Sequence, residues 1–209
     1  MAGDGGVLSG SAGTGPVSAR VGPNAVIRIA EALERDRGQD AVAQVFQAAG
    51  LGRYLDQLPE QMVDEGEVTR LQTSLRTHLG IGEARRVSFD AGLRTGDYLL
   101  AHRIPRPVQR LLSILPARLA SRLLIAAIRR NAWTFAGSGA FDGQPGNPTR
   151  LLVTDGPICG DARSDQPLCD FYAGSFERLF SRLVHPRARV SEIACQANGA
   201  ESCVFEVRW

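Results

Sequence analysis

The chain has 209 residues, 44% hydrophobic and 22% charged, which suits one generous folded domain and excludes disorder throughout. Its net charge is +2, and all 24 basic side chains are arginines, which pair bidentately with carboxylates and stack on flat π systems. No run approaches the roughly 18 uncharged apolar residues of a membrane span, and the first residues lack the features of a secretion signal, so the expected location is cytoplasmic.

Residues 1–22 hold seven glycines among Ser, Ala and Thr and read as a flexible tail. Helical spacing starts after Pro23 and Asn24 with Val26, Ile27, Ile29, Ala30 and Leu33, and Gly38 closes this helix. A second helix is predicted over Gln39–Ala49 and a third over Asp64–Leu79, stopped by Gly50 and Gly80. A fourth runs from Gly82 to about His102, although Gly92 and Gly96 each weaken it by about 1 kcal/mol relative to Ala. Glycines at such places also let another backbone or a flat ligand approach.

Beyond the Ile104-Pro105-Arg106-Pro107 break, two short helices rich in Leu and Ile are predicted at about 108–115 and 117–130. The period then changes. Trp133–Phe141 alternates large and small residues like a strand, Arg150–Thr154 is a second strand, and turn residues lie between them. A last helix covers roughly Pro167–Val184, followed by strands at Arg189–Ala197 and Ser202–Trp209. Helices first and ββαββ afterwards predict an α+β fold with an antiparallel sheet, residues 23–130 and 131–209 being two parts of one domain.

Charge is unevenly placed. Residues 85–130 carry ten arginines against only Asp90 and Asp97, a local net charge of +8, while the flanking blocks are acidic. Such a block meets an anionic partner or forms a solvated helix face.

Cys195 and Cys203 stand four residues either side of Gly199, so a hairpin centred there sets them opposite each other, about 4.5–5.5 Å apart at Cβ. That distance is compatible with a shared metal, free buried thiols or a disulfide. Glu192 needs a bulge or bend to join the same face. Cys169 falls in the first turn of the last helix, where the helix dipole favours thiolate. Three thiolates and one carboxylate make a tetrahedral zinc set; Cys159 has no place in this pattern.

The run Cys169-Asp170-Phe171-Tyr172-Ala173-Gly174, then Glu192-x-x-Cys195, then Asn198-Gly199-x-x-x-Cys203-x-Phe205 resembles the vinyl-4-reductase domain, which also occurs in aromatic-responsive bacterial regulators. From about residue 20 onward the chain is similar to the bacteriochlorophyll 4-vinyl reductase-type proteins of photosynthetic bacteria. The resemblance implies helices packed on a small antiparallel sheet, as in transport-complex subunits, around an apolar ligand pocket, often in a homodimer. It implies structural zinc on Cys169, Glu192, Cys195 and Cys203, and a role near the 8-vinyl (4-vinyl) reduction and magnesium-porphyrin steps.

The residues themselves supply no GxGxxG between strand and helix, no P-loop and no common iron–sulfur spacing, so the catalytic residues are unknown. The expected role is accordingly that of a tetrapyrrole-binding accessory or carrier protein. It would hold a magnesium porphyrin or divinyl chlorophyllide and work with enzymes of the bacteriochlorophyll pathway, peripheral to the photosynthetic membrane. The vinyl reductase itself and a small-molecule sensor domain are the alternatives; nucleic acid is not an expected partner. The ligand pocket is expected between the central helices and the sheet, walled by the 108–130 helices, Trp133 and Phe135, with Gly92, Gly96, Gly137 and Gly139 allowing close approach. His102 is the candidate magnesium ligand, and Arg106 and Arg110 the candidates for the propionates.

Overall fold

In the computed structural model, which describes residues 19–209, a helical half precedes the main sheet. Arg20–Val21 (β1) pairs antiparallel with Val63–Asp64 (β2), and Val21 is buried. The last residues of the expected tail are therefore part of the fold; residues 1–18 lie outside the described residues. Helices α1 (Asn24–Arg37), α2 (Gln39–Ala48), α3 (Arg53–Asp56), α4 (Glu65–Leu79) and α5 (Ile81–His102) follow. Gly38 and Gly80 separate neighbouring helices because their φ values, 82° and 75°, suit glycine. The Asp64 side chain accepts the Gly66 N–H at 2.8 Å and caps α4, whose first turn is acidic and last turn basic.

After α6 (Arg106–Ile114) and α7 (Ala117–Arg130), the predicted strand at 133 is a helical turn instead, α8 (Trp133–Ala136). Local hydrogen bonds outweigh the alternating pattern here. The Thr134 hydroxyl donates to the Asn131 carbonyl at 2.7 Å, and Gly137, at φ 64°, ends the turn. Ser138 then donates its N–H and hydroxyl to the Glu65 carboxylate, both at 2.8 Å, tying this turn to the start of α4.

Strands β3 (Ala140–Gln144), β4 (Thr149–Thr154), β5 (Arg189–Ala194) and β6 (Cys203–Arg208) form one antiparallel sheet in the order β3-β4-β6-β5. Helix α9 (Asp170–Leu183) lies between β4 and β5 in the chain, which is the expected ββαββ of an α+β fold. Phe141, Leu151, Val153, Phe205 and Val207 are buried in the sheet, and one continuous apolar core runs from Val21 through the helices to Val207.

Helices α5 and α9 cross at glycines. A Cβ on Gly92 would stand 2.8 Å from the Ser175 nitrogen and closer still to the Phe171 carbonyl oxygen; one on Gly174 would strike the Phe89 carbonyl. Behind this crossing, Phe135, Phe141, Tyr172, Phe176 and Phe205 pack ring against ring, with centroids 5.4 to 6.3 Å apart. The Tyr172 hydroxyl donates to the Phe135 carbonyl at 3.0 Å. These aromatics fill the space where a ligand pocket is expected. The glycines expected beside a ligand face the chain itself: Gly92 and Gly96 meet α9, Gly137 meets Glu65, and Gly139 meets the Thr154–Asp155 backbone.

Candidate metal centre

Four thiols converge where the sheet meets α9. Cys169 precedes the first residue of α9, and Cys203 opens β6. Cys195 precedes a short 3-10 turn, Gln196–Asn198, closed by Gly199 in the left-handed conformation, so the link between the strands is longer than a two-residue hairpin. The pairing of Ala194 with Val204 nevertheless sets Cys195 opposite Cys203, as the count from Gly199 predicts. The fourth thiol is Cys159, from the loop between β4 and α9.

Sulfur separations are 3.4 Å for Cys169–Cys203, 3.7 Å for Cys195–Cys203 and for Cys159–Cys203, and 3.9 Å for Cys169–Cys195. All four ligand atoms lie within 4.8 Å of one another, and all four residues are buried. A disulfide requires about 2.05 Å, so these are free thiols. Sulfurs on the corners of a tetrahedron around zinc, each about 2.3 Å from the ion, stand about 3.8 Å apart. The cluster already has those edges.

A β-bulge between Glu192 and Ala194 turns the Glu192 carboxylate toward this cluster, by the device the sequence requires. One oxygen accepts the Cys169 N–H at 2.8 Å, while Oε1 is buried and has no hydrogen-bond partner. Burial, then the neighbouring Cys195, push the Glu192 carboxyl up to about 9. Hydrogen bonds from the other thiols, Cys159 foremost, hold Cys195 far below the usual thiol range, while contact with Cys159 above all pushes Cys169 and Cys203 up. Without a cation, one thiolate is thus served by its S–H neighbours. With a divalent cation, all four can ionise.

Arg76 lies within electrostatic reach of Cys169, Cys159 and Cys195, and donates to the Ile158 carbonyl at 3.1 Å, beside Cys159. Burial pushes its pKa down and the cysteines oppose that shift. Arg85 grips Asp170 with two hydrogen bonds of 2.8 and 3.3 Å at the start of α9. Neither arginine is singled out by spacing, because α4 and α5 approach the cysteines only in the folded chain. Cys159 had one local sign, the turn-forming Pro157 and Gly160 on either side, with Gly160 at φ 50°.

The residues proposed for the ligand do not form one site. Phe135 belongs to the aromatic cluster, whereas Trp133 is largely exposed. His102 is exposed at the end of α5 with its ring 4.8 Å from that of Tyr98. Arg106 and Arg110 are exposed on α6. Beside them, a groove of about 480 Å³ runs between the end of α5, the polar side of α6 and the end of α9, lined by Leu100, Ala101, Gln109, Arg110, Ser113 and Arg182.

Residues 150–209 match the family model of the vinyl-4-reductase domain. Over 196 residues the chain is 45% identical to the bacteriochlorophyll synthase 23 kDa chain of Cereibacter sphaeroides, covering 92% of this chain and 93% of that one. The protein of the same name from Rhodobacter capsulatus is 36% identical over 186 residues, covering 89% of this chain and 85% of the other. Among solved structures, a mutant Fe(II) unliganded H-NOX protein from K. algicida superposes with a TM-score of 0.56 at 11% identity, covering 89% of this chain and 95% of its own. That likeness concerns the fold alone.

Proposed function

Because the chain belongs to the family of the bacteriochlorophyll synthase 23 kDa chains, we propose that it serves bacteriochlorophyll biosynthesis as a tetrapyrrole-binding accessory protein, passing a magnesium porphyrin or divinyl chlorophyllide among the enzymes of that pathway. The observation that carries this reading is the groove beside α6. Arg110 and Arg182 both line it, and neither is paired with a carboxylate among the described residues. Two such guanidiniums suit the carboxylate edge of a tetrapyrrole. The groove is open and smaller than the enclosed pocket the sequence suggests, so the ring would be held by one edge and not swallowed. His102, exposed at the adjoining end of α5, is the side chain that would ligate the magnesium, and Arg106 adds a further cation nearby. Trp133 and Phe135 have no part in this groove.

We further infer that the cysteine cluster holds one structural zinc. Cys169, Cys195 and Cys203 supply three ligands. The fourth is the Cys159 thiol, which stands at tetrahedral distance, with Glu192 fixing the Cys169 backbone. Four protein ligands close such a site, so its contribution is to folding.

The test is to titrate the protein with divinyl chlorophyllide, with and without NADPH. A shifted Soret band at one pigment per chain, without turnover, is the expected result. Arg110→Glu with Arg182→Glu should weaken binding about 10- to 100-fold, since a charge-assisted contact contributes about 1.5–3 kcal/mol. Unchanged affinity would remove the groove from the reading. Monovinyl product in excess of protein would replace the accessory role with catalysis.

A further inference from the structure

Helices α6 and α7 are apolar on two sides. Their inner sides bury Leu112, Ala120, Leu124, Ile125 and Ile128, as a packed helix must. Their outer sides also carry large apolar groups. Val108, Leu111 and Ile114 recur every three residues on α6, with Leu111 52% and Ile114 79% exposed. Leu119 and Leu123 follow one turn apart on α7, and Trp133, 61% exposed, stands just beyond it. Six of the nine exposed large hydrophobic residues among those described fall between 108 and 133. Isolated exposed apolar residues are ordinary; a cluster in one short stretch is not.

The charge around this stretch has one sign. No acidic residue lies between Asp97 and Asp142, while seven arginines do. Earlier in the same basic block the fold uses its arginines internally: Arg85 pairs with Asp170, Arg86 with Asp36 and Glu83, and Arg94 with Asp90. Arg129 pairs with Asp142. Arg106, Arg118, Arg122 and Arg130 are exposed and paired with no carboxylate among the described residues. On α7, Arg118, Arg122 and Arg129 form a row beside Leu119 and Leu123, so long cationic side chains border the apolar stripe.

From this arrangement we propose that the outer faces of α6 and α7 dock the protein on an anionic lipid bilayer, the two helices lying in the plane of the headgroups. Leu111, Ile114, Leu119 and Leu123 enter the acyl boundary, Trp133 sits at headgroup level, and the unpaired arginines meet lipid phosphates. At 9 and 14 residues the helices are too short to cross, and no helix of the described residues is long and apolar enough to span a membrane. Uniform positive charge interleaved with aliphatic side chains matches a phospholipid surface, negative above and apolar beneath, without requiring one shaped partner. The site is independent of the pigment groove, which uses the polar side of α6. A failure here leaves the groove untouched, and the reverse also holds.

The experiment is cosedimentation of the full chain with vesicles of phosphatidylcholine alone and of phosphatidylcholine with phosphatidylglycerol. Binding to the anionic vesicles, weak binding to the neutral ones, and a blue shift of Trp133 emission are expected. Trp209 stacks on Phe180 and serves as the internal reference, and Trp133→Phe should abolish the shift. Arg118→Glu with Arg122→Glu should lower vesicle affinity by about thirtyfold or more, each arginine near such a surface contributing about 1 kcal/mol before reversal. Leu111→Ser with Ile114→Ser should abolish the shift and weaken binding, while thermal unfolding and pigment affinity stay unchanged. No cosedimentation with anionic vesicles at low salt would overturn the proposal. So would adsorption indifferent to the serine variants, or a stable dimer that buries this face and ignores lipid.

Discussion

The crossing of α5 and α9 makes Gly92→Ala an informative perturbation, because two opposing effects can be compared. In an exposed helix interior, replacing Gly by Ala stabilises by about 1 kcal/mol. Here the new methyl would stand 2.8 Å from the Ser175 nitrogen and 3.0 Å from the Gly174 Cα, both backbone atoms that cannot rotate away. Ordinary contact begins near 3.4 Å, so the helices must part by at least about 0.6 Å. Parting them stretches the bond from the Ser175 hydroxyl to the Gly92 carbonyl, now 3.2 Å, and loosens Phe171 against its neighbours. Overpacking costs about 1–3 kcal/mol and the lost hydrogen bond about 1 kcal/mol. The net expectation is destabilisation by about 1–3 kcal/mol, or a Tm lower by about 2–12 °C for a chain of this length. Urea unfolding at constant m-value measures it. Gly82→Ala is the control: the same helix, with nothing within 4 Å of the added Cβ, should be neutral or slightly stabilised. If Gly92→Ala matched that control, the close crossing of α5 on α9 would be wrong.

Protein purified without chelator should contain about one zinc per chain, and Cys159→Ser should release it more readily than Glu192→Gln; four titratable thiols in a stable, metal-free protein would refute the zinc assignment. Arg76→Met should lower zinc retention against a competing chelator by about tenfold while the helices stay intact, because it removes a cation facing a site with excess negative charge. Tyr172 provides the pH dependence. Burial first, and then the cysteine charges, raise its phenol well above 10. The folded protein therefore keeps a proton that the unfolded chain releases near pH 10. Stability should be full below that pH and fall above it until the folded pKa is reached, by up to about 1.4 kcal/mol per pH unit. Tyr172→Phe should remove that slope and cost about 1 kcal/mol at neutral pH, by leaving the Phe135 carbonyl unpaired; urea midpoints between pH 8 and 11, alongside tyrosinate absorbance, would show whether it does.

Local rules made much of this protein legible before folding. Gly38 and Gly80 mark helix ends because only the chain's own backbone conformation is at stake there, and Val68, Leu71 and Leu75 mark a buried stripe by their period. The facing of Cys195 and Cys203, and the need for a bulge at Glu192, followed from counting along two strands about one turn. The strand reading of Trp133–Ala136 failed because side-chain hydrogen bonds from Thr134 and Ser138 outweigh a four-residue alternation. Other features depend on residues far apart in the chain. Cys159 joins the thiols only because its loop folds back to meet β6, 44 residues away. Arg76 and Arg85 reach the cluster only through the packing of α4 and α5. The tertiary structure also decided which arginines are free: Arg85, Arg86 and Arg94 found carboxylates on other turns or helices, and those of α6 and α7 did not, apart from Arg129. Composition records a charge; only packing determines whether the fold neutralises it or leaves it facing outward.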